Sequence, residues 1–382
     1  MNKKLQNVQW GEYRMGDLFD VITSKGYDAG KLKFINKNRN VFDFIGRTKL
    51  NYGVQGLVER LNTDPNEENT ISVSQIGSVY AQIRKNKWYS SQNIFVLVPK
   101  DKKIINLLVV TSINKTLEKY KGGHTSYPTL DSLKNDIIQL PTTKDGKIDF
   151  DFMDVYISEL KEERISELVA YLKISGLDNY ELLKDEKQII EDFSNIRWKD
   201  YQIGNLFERV KTKKLSYKAK NLPKEPVKDY ILPVLTSSFM NQGLNYYVPK
   251  AETTILKNVI SIPSNSDVYR AYYQSREFTV LSDAYAVEWK NKEEKFESNE
   301  YLFTVSCINK VTDLAIYSYK NKLGGWNVVK NKYIKLPVNS SGEIDFEYMK
   351  TFIQAVKKLI IKDVVLYADK KIEVTKEAIE NS

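Results

Sequence analysis

Apolar residues recur at three- and four-residue spacings in two long stretches of the chain, and charged residues fill the positions between them. This period is that of one face of an α-helix, so each stretch predicts an amphipathic helix. Asp149 and Asp345 precede the two stretches and are predicted to cap the helices. The apolar positions are Met153, Ile157, Leu160, Leu168, Tyr171 and Leu172 in the first stretch, and Met349, Ile353, Val356, Ile360, Val364 and Tyr367 in the second.

Short runs rich in β-branched and aromatic residues precede each helical stretch. Examples are residues 94–98 (IFVLV), 230–235 (YILPVL) and 284–289 (AYAVEW), each of which has Gly, Asn, Ser or Pro close to its ends. Runs of this length and composition predict short β-strands. Each half of the chain therefore predicts a mixed domain that is followed by a long helix.

Three sequence blocks occur twice, in the same order and at a nearly constant offset. Residues 10–19 (WGEYRMGDLF) return as residues 198–207 (WKDYQIGNLF), and residues 71–80 (ISVSQIGSVY) return as residues 260–269 (ISIPSNSDVY). Residues 145–153 (DGKIDFDFM) return as residues 341–349 (SGEIDFEYM), and each of these copies follows a strand-like ending, IQLP or IKLP. A repeat at this period indicates two copies of one structural unit.

The repeat predicts an α+β fold in which two α/β domains alternate with two long helices. The predicted boundaries are residues 1–149 for the first domain, 150–192 for a central helix, 193–345 for the second domain and 346–382 for a C-terminal helix. One amphipathic helix cannot bury its own apolar stripe, so the two helices are expected to pair as an antiparallel, coiled-coil-like spacer with pseudo-two-fold symmetry. The alternative is that each helix packs on its own domain.

Charge and composition narrow the functional class. The 382 residues include 58 Lys and Arg against 49 Asp and Glu, which gives a net charge of +9. Such an excess attracts polyanions, although a solvated, Lys-rich surface would give the same numbers. No apolar run approaches the roughly 20 residues of a membrane helix and the N-terminus lacks a signal peptide, so a cytoplasmic location without a membrane partner is expected. The single cysteine, Cys307, excludes a disulfide within one chain.

Motifs of catalysis do not occur in the sequence. The adenine-methyltransferase signature is absent, and the nearest string, residues 64–66 (DPN), is typical of a turn. There is no Walker-type or dinucleotide-binding glycine loop, and one His with one Cys is too few for a zinc site. Residues 159–161 (ELK) resemble the end of a nuclease motif but lie on the first predicted helix. We therefore expect no catalytic residue, bound cofactor or metal in this chain.

Residues 44–56 (FIGRTKLNYGVQG) and 69–79 (NTISVSQIGSV) resemble the target-recognition domains of the type I restriction–modification specificity subunit family, in particular those of its type IIB-like branch. The alternating order of domains and helices and the Leu-Pro ending before each helix extend the resemblance over essentially the whole chain. The second half reads PVLTSSFMNQG at residues 233–243, so Arg47 has no arginine counterpart. The resemblance implies that each domain reads one part of a bipartite double-stranded DNA site.

The same resemblance implies which chemistry lies on other chains. The helices are expected to dock DNA adenine methyltransferase subunits, with a restriction subunit or a fused methyltransferase–nuclease as a further partner. S-adenosylmethionine, and Mg and ATP where a nuclease or translocase is present, are expected on those partners. Two other classes stay open: a nuclease or methyltransferase with a divergent active site fused to the recognition domains, and an interaction scaffold that mimics a specificity subunit.

Loops rich in Arg, Lys, Asn, Gln and Ser are the candidate DNA-binding segments, because these side chains match the donors and acceptors of bases and phosphates. In the first half the candidates are Arg47, Lys49, Asn51, Tyr52, Gln55, Gln75, Tyr80, Arg84, Lys85, Lys87, Lys121 and His124. In the second half they are Thr236, Ser237, Asn241, Gln242, Ser264, Asn265, Tyr269, Arg270, Tyr272, Tyr273, Arg276, Lys322, Trp326 and Asn327. The alternative is core packing for Tyr80, Tyr272 and Tyr273, and an ordinary surface position for His124.

The first helical stretch also predicts a length. From Met153 to Lys173 it has about 21 residues, which corresponds to about 30 Å at 1.5 Å per residue. One turn of DNA is roughly 34 Å long, so both domains could enter the major groove on one face. We therefore expect an asymmetric site with two specified parts and an unread gap between them.

Overall fold

The computed structural model describes residues 2–36, 41–120, 126–251 and 253–380. The chain divides into two compact units, one that ends at Leu168 and one that begins at Val169. Within the described ranges, no helix is long and apolar enough to cross a membrane. The predicted division of the chain into four segments stays a prediction.

The first unit contains ten strands and the beginning of a long helix among its described residues. Its strands are β1 (Trp10–Arg14), β2 (Phe19–Thr23), β3 (Gly26–Tyr27), β4 (Phe42–Ile45), β5 (Val54–Val58), β6 (Thr70–Ser74), β7 (Ala81–Arg84), β8 (Trp88–Ser91), β9 (Ile94–Pro99) and β10 (Ile137–Pro141). Its helices are α1 (Asn2–Gln6), α2 (Met15–Leu18), α3 (Leu107–Leu117), α4 (Leu130–Asn135) and α5 (Phe150–Ile174), the last of which continues into the second unit.

The second unit repeats this order with small differences. Its strands are β11 (Trp198–Gln202), β12 (Phe207–Arg209), β13 (Tyr230–Leu235), β14 (Leu244–Pro249), β15 (Val259–Pro263), β16 (Tyr272–Gln274), β17 (Thr279–Val280), β18 (Ala284–Trp289) and β19 (Tyr333–Pro337). Its helices are α6 (Lys184–Glu191), α7 (Ile203–Leu206), α8 (Ser298–Thr312), α9 (Trp326–Val329) and α10 (Phe346–Glu380).

Each unit is built on a four-stranded antiparallel sheet with the same strand order. That order is β2-β9-β6-β7 in the first unit and β12-β18-β15-β16 in the second. Every residue of the inner strands β6 (TISVS) and β15 (VISIP) is buried, so both faces of these strands are covered. A second sheet pairs β4 with β5 antiparallel and with β8 parallel, and in the second unit β13 pairs in the same way with β14 and β17.

In each half, a two-stranded sheet joins the start of the first block to the strand-like ending that precedes the last block. Trp10 of β1 lies opposite Pro141 of β10, and Trp198 of β11 lies opposite Pro337 of β19. The two registers are identical, which confirms the internal repeat predicted from the sequence. The predicted α+β class is also confirmed.

The two long helices begin where the sequence predicts. The Asp149 Oδ1 atom accepts a hydrogen bond of 2.9 Å from the backbone N–H of Phe152, and Asp345 Oδ1 accepts one of 2.9 Å from that of Tyr348. Both predicted N-terminal caps are therefore confirmed. The first turn of each helix is anchored in the core of its own unit.

Helix α10 packs against α8 and α6 within the second unit. The ammonium of Lys358 on α10 lies 2.8 Å from the buried carboxylate of Glu186 and donates to the backbone oxygen of Glu181 at 3.0 Å. Part of the predicted apolar stripe of α10, including Met349, is buried in the core of the second unit, whereas Ile360 and Tyr367 are exposed. The antiparallel pairing of the two long helices stays a prediction.

Candidate nucleic-acid interface

Each unit carries a loop of the same length with an unusual backbone, between β4 and β5 and between β13 and β14. Asn51, Tyr52 and Gly53 have φ angles of 47°, 53° and 75° and form the first left-handed turn. Residues 241–243, the second left-handed turn, have φ angles of 48°, 54° and 85°. A non-glycine residue in this region costs on the order of 1–3 kcal/mol and persists only where its surroundings hold it.

The left-handed turns are closed by matching hydrogen bonds. The Asn51 side-chain amide donates to the backbone oxygen of Val54 at 3.0 Å, and that of Asn241 donates to the oxygen of Leu244 at 2.6 Å. Asparagine tolerates the left-handed region because its short amide can bond locally in this way. The tips of both loops are strongly exposed, as illustrated by Tyr52, whose surface is 77% accessible.

A polar cleft lies beside each left-handed turn. The first cleft has a volume of about 510 Å³, and its polar lining includes Asp28, Arg47, Gln55 and Gln92. Among the described residues, the guanidinium of Arg47 has no hydrogen-bond partner. The amide of Gln55 packs directly over Gly46, where an added Cβ would lie 2.3 Å from the Gln55 side chain.

The second cleft occupies the equivalent place with different side chains. Strand pairing of Ile45 with Val54 and of Leu235 with Leu244 aligns the two loops residue by residue. This alignment places Ser237 where the first unit has Arg47, and Asn245 where it has Gln55. The second cleft is larger, about 980 Å³, and is lined at the matching positions by Lys218, Ser237, Asn245 and Ser282. The two clefts therefore present different polar groups on one scaffold.

Several predicted residues of the first unit gather around the first left-handed turn. Arg47, Asn51, Tyr52 and Gln55 lie on the turn or in the first cleft. The ammonium of Lys49 lies 4.4 Å from the centre of the Tyr80 ring, a cation–π contact that brings these two predictions together.

The remaining predicted residues of the first unit are more scattered. The side chain of Gln75 donates to the backbone oxygen of Pro128 at 3.1 Å, and Lys87 pairs with Glu67 at 2.9 Å. Lys85 is exposed in the turn between β7 and β8. The two remaining predictions, Lys121 and His124, lie outside the described residues.

Arg84 and Tyr269 require a correction. Arg84 is only 4% exposed and donates hydrogen bonds inside the protein, so its guanidinium is not presented to DNA as predicted. Burial lowers the pKa of Arg84 to about 10, against the opposing effect of Asp43, and the group therefore remains charged at neutral pH. Tyr269 is 1% exposed and packs edge-on against Tyr317 in the core, which leaves no face for a base.

The other aromatic candidates of the second unit are half-buried. Tyr273 stacks on Tyr301 with ring centres 5.3 Å apart, and burial raises the pKa of its hydroxyl. The Tyr272 hydroxyl donates to the backbone oxygen of Phe239 at 3.2 Å, in the loop that carries the second left-handed turn. The ring centre of Trp326, the first residue of α9, lies 6.2 Å from the ring centre of Tyr285. Core packing therefore buries much of the surface of these rings.

The charged and polar candidates of the second unit are mostly exposed. Arg270 pairs with Asp313 at 2.6 Å, and this hydrogen bond and charge raise the pKa of Arg270. Lys322 lies 4.6 Å above the ring of Tyr319. Arg276 and Asn327 are exposed, and Asn241 and Gln242 form the second left-handed turn. Ser264 and Asn265 follow β15 and are half-buried. Ser237 lines the second cleft, and Thr236 is buried at the edge of that cleft.

Sequence reasoning missed five of the polar cleft residues named above, which are Asp28, Gln92, Lys218, Asn245 and Ser282. Gln92 and Ser282 come from the turn that follows β8 and β17, far from the left-handed turns along the chain. Asp28 and Lys218 each precede a short 3₁₀ helix that begins with alanine, at Ala29 and Ala219. The repeated alanine and the tyrosine two residues before it, Tyr27 and Tyr217, are sequence signals that could have found Asp28 and Lys218.

Comparison with known proteins decides the family. A model of the type I restriction modification DNA specificity domain matches residues 7–170 and, a second time, residues 195–365. The chain belongs to this family. Two copies of the DNA specificity domain thus make up most of its length, and the predicted family and repeated-domain fold are confirmed.

Two relatives of this specificity-domain protein illustrate its similarity. A stretch of 166 residues is 24% identical to the type II restriction enzyme BgcI specificity subunit S.BcgI of Heyndrickxia coagulans, and covers 42% of this chain and 46% of that protein. The match thus spans about half the length of that relative. The type I restriction–modification S subunit of M. genitalium has a similar fold over 98% of this chain and 95% of its own, with a TM-score of 0.52 and 16% identity.

Proposed function

We propose that this specificity-family chain reads a bipartite, asymmetric DNA site, with one part of the site recognised by each unit. The observation that carries the proposal is the pair of equivalent clefts beside the left-handed turns, which share a scaffold but differ in their polar groups. Two equivalent sites with identical side chains would favour a symmetric sequence, whereas Arg47 against Ser237 and Gln55 against Asn245 favour two different half sites.

The polar groups fit the chemistry of base edges. An arginine without an internal partner can donate two hydrogen bonds to the O6 and N7 atoms of guanine, and a glutamine amide can do the same to adenine. Arg47 and Gln55 are therefore the proposed base-reading residues of the first unit. Exposed Lys and Arg side chains would contact phosphates and fix the position of the protein without reading sequence, and the net charge of +9 would favour this binding.

The chain is proposed to act without catalysing a reaction itself. Methyltransferase subunits that dock on the long helices would supply S-adenosylmethionine, and a nuclease or translocase partner would supply Mg and ATP. A restriction subunit and a fused methyltransferase–nuclease are alternative further partners. A divergent nuclease or methyltransferase site within this chain is the competing proposal, and S-adenosylmethionine binding or Mg-dependent cleavage by the purified chain would favour it.

An arginine substitution tests base reading by the first unit. Arg47→Ser installs the residue of the second unit and should weaken binding to the cognate site by about 10- to 100-fold, the worth of one bidentate base contact, with little change on scrambled DNA. Lys144→Ser, an exposed control that removes the same charge, should weaken cognate and scrambled binding equally and only slightly. Fluorescence anisotropy with short duplexes measures both, and an equal loss on both duplexes for Arg47→Ser would refute base reading by this residue.

A further inference from the structure

A buried polar side chain lies behind the first left-handed turn. Arg84, at the end of β7, uses all three nitrogens of its guanidinium. It donates to the backbone oxygen of Tyr52 at 2.5 Å, to the hydroxyl of Ser72 at 2.8 Å and to the side-chain oxygen of Gln82 at 2.6 Å. The oxygen that it holds belongs to the middle residue of the turn.

The second unit holds its left-handed turn in the same way with a different residue. Gln274, at the end of β16, is 4% exposed, and its amide donates to the backbone oxygen of Gln242 at 3.3 Å and to the hydroxyl of Ser261 at 3.0 Å. Again the oxygen belongs to the middle residue of the turn. Tyr272 adds a bond from its hydroxyl to the backbone oxygen of Phe239 in the same loop.

Strand register shows that the two arrangements are equivalent. Arg84 lies opposite Thr70 across the β6–β7 pair, and Gln274 lies opposite Val259 across the β15–β16 pair. On the partner strand, a buried serine follows the opposite residue by two positions: Ser72 follows Thr70, and Ser261 follows Val259. The repeats have therefore kept the geometry of the support while changing the residue that provides it.

An apolar side chain would fill either position without a desolvation cost. Taking a guanidinium or an amide out of water is unfavourable unless its hydrogen bonds are made, so a polar residue here is explained by the bonds it supplies. Those bonds end on the backbone of a conformation that most residues avoid. The turn they hold carries Asn51 and Tyr52 and adjoins the first cleft.

We propose that Arg84 and Gln274 are positioning residues, each of which fixes the left-handed turn beside the base-reading cleft of its own unit and thereby sets sequence discrimination in one half of the DNA site. This inference rests on the proposed function, because it assigns to two buried residues the alignment of that same interface. Neither residue contacts DNA. Each acts through the left-handed turn in front of it.

A general role in stability predicts a different result from a positioning role. Loss of stability would weaken binding to every duplex alike, whereas misalignment of one turn would relax discrimination in one half site and leave the other intact. The two units thus serve as controls for each other within one molecule. The conservative variants place the supporting residue of one unit in the other unit, as Arg84→Gln and Gln274→Arg.

The experiment compares the full chain with Arg84→Met, Gln274→Met, Arg84→Gln and Gln274→Arg. Fluorescein-labelled duplexes carry the cognate bipartite DNA site, or that site with one half scrambled. Arg84→Met should lower discrimination in one half by about tenfold or more and leave the other unchanged, and Gln274→Met should do the reverse. Arg84→Gln should retain more discrimination than Arg84→Met, because Gln274 shows that a glutamine amide can reach the turn. Gln274→Arg should likewise retain more than Gln274→Met.

Two results would overturn the assignment. One is an equal loss in both halves for either methionine variant, and the other is a glutamine variant no better than Arg84→Met. If Arg84→Met does not fold, Arg84→Gln and the Gln274 variants still decide between positioning and stability. Failure of the proposed function gives a distinct result, because the unmodified chain would then show no discrimination between intact and scrambled duplexes.

Discussion

A methyl group added at Gly53 should cost far more than one added at Gly146, although both glycines have nearly the same backbone. Their φ angles are +75° and +76°, so Gly→Ala pays a similar left-handed penalty of about 1 kcal/mol at either position. At Gly146 the new Cβ meets no heavy atom within 4 Å. At Gly53 it would lie 2.8 Å from Gln82 Oε1 and 3.2 Å from Arg84 Nη2.

The overlap at Gly53 falls on the hydrogen bonds that support the turn. The Gln82 amide would have to move away from Arg84, which removes a charge-assisted hydrogen bond worth about 1.5–3 kcal/mol. Gly53→Ala should therefore destabilise its surroundings by about 3 kcal/mol, and Gly146→Ala by about 1 kcal/mol.

Hydrogen exchange followed by mass spectrometry suits this comparison, because it reports local stability in a chain with two units. Peptides that span β4 and β5 should lose about 3 kcal/mol of protection in Gly53→Ala, while peptides of the second unit keep theirs. Equal losses of protection in Gly53→Ala and Gly146→Ala would refute the reasoning, since the contacts of Gln82 and Arg84 would then add nothing to the cost of the left-handed backbone.

Three further predictions concern caps, an ion pair and the cysteine. Asp149→Ala and Asp345→Ala should each cost about 1 kcal/mol, measured by exchange in the first helical turn, with Asp→Asn nearly neutral. Lys358→Met should cost about 3 kcal/mol in thermal or urea unfolding because it strands the buried Glu186 carboxylate, and adding Glu186→Gln should restore part of it; no restoration would refute the pairing. Burial raises the pKa of the Cys307 thiol from 9.0 to about 11, so alkylation of the native chain at pH 8 should be about a hundredfold slower than alkylation in urea. For the same reason the free energy of unfolding should fall as the pH rises from about 9 to 11. Rapid alkylation of the native chain would contradict this prediction.

The repeat and the helix starts could be predicted because their signals are local. The opening block and the strand-like ending of each half are short strings that can be matched between the halves, and they form the paired strands β1 with β10 and β11 with β19. Asp149 and Asp345 act on backbone groups three residues away. Short-range chemistry of this kind is visible in a single sequence.

The clefts and their supports could not be predicted because they combine distant segments. Arg84 was assigned to DNA from its residue type, yet its strand lies behind the first left-handed turn and turns its guanidinium inward. Gln92 enters the first cleft from a turn that only the sheet order brings close. Residue type identifies what a side chain can bind, whereas the fold decides which partner it reaches.

Methylation mapping tests the central claim most directly. The chain is co-expressed with the methyltransferase encoded beside it, and modified adenines are located across a host genome by single-molecule sequencing. The account predicts a gapped, asymmetric motif that disappears when this chain is omitted and relaxes in one half when Arg47 is replaced by serine. Methylation that persists unchanged without the chain would contradict the proposal that it reads the DNA.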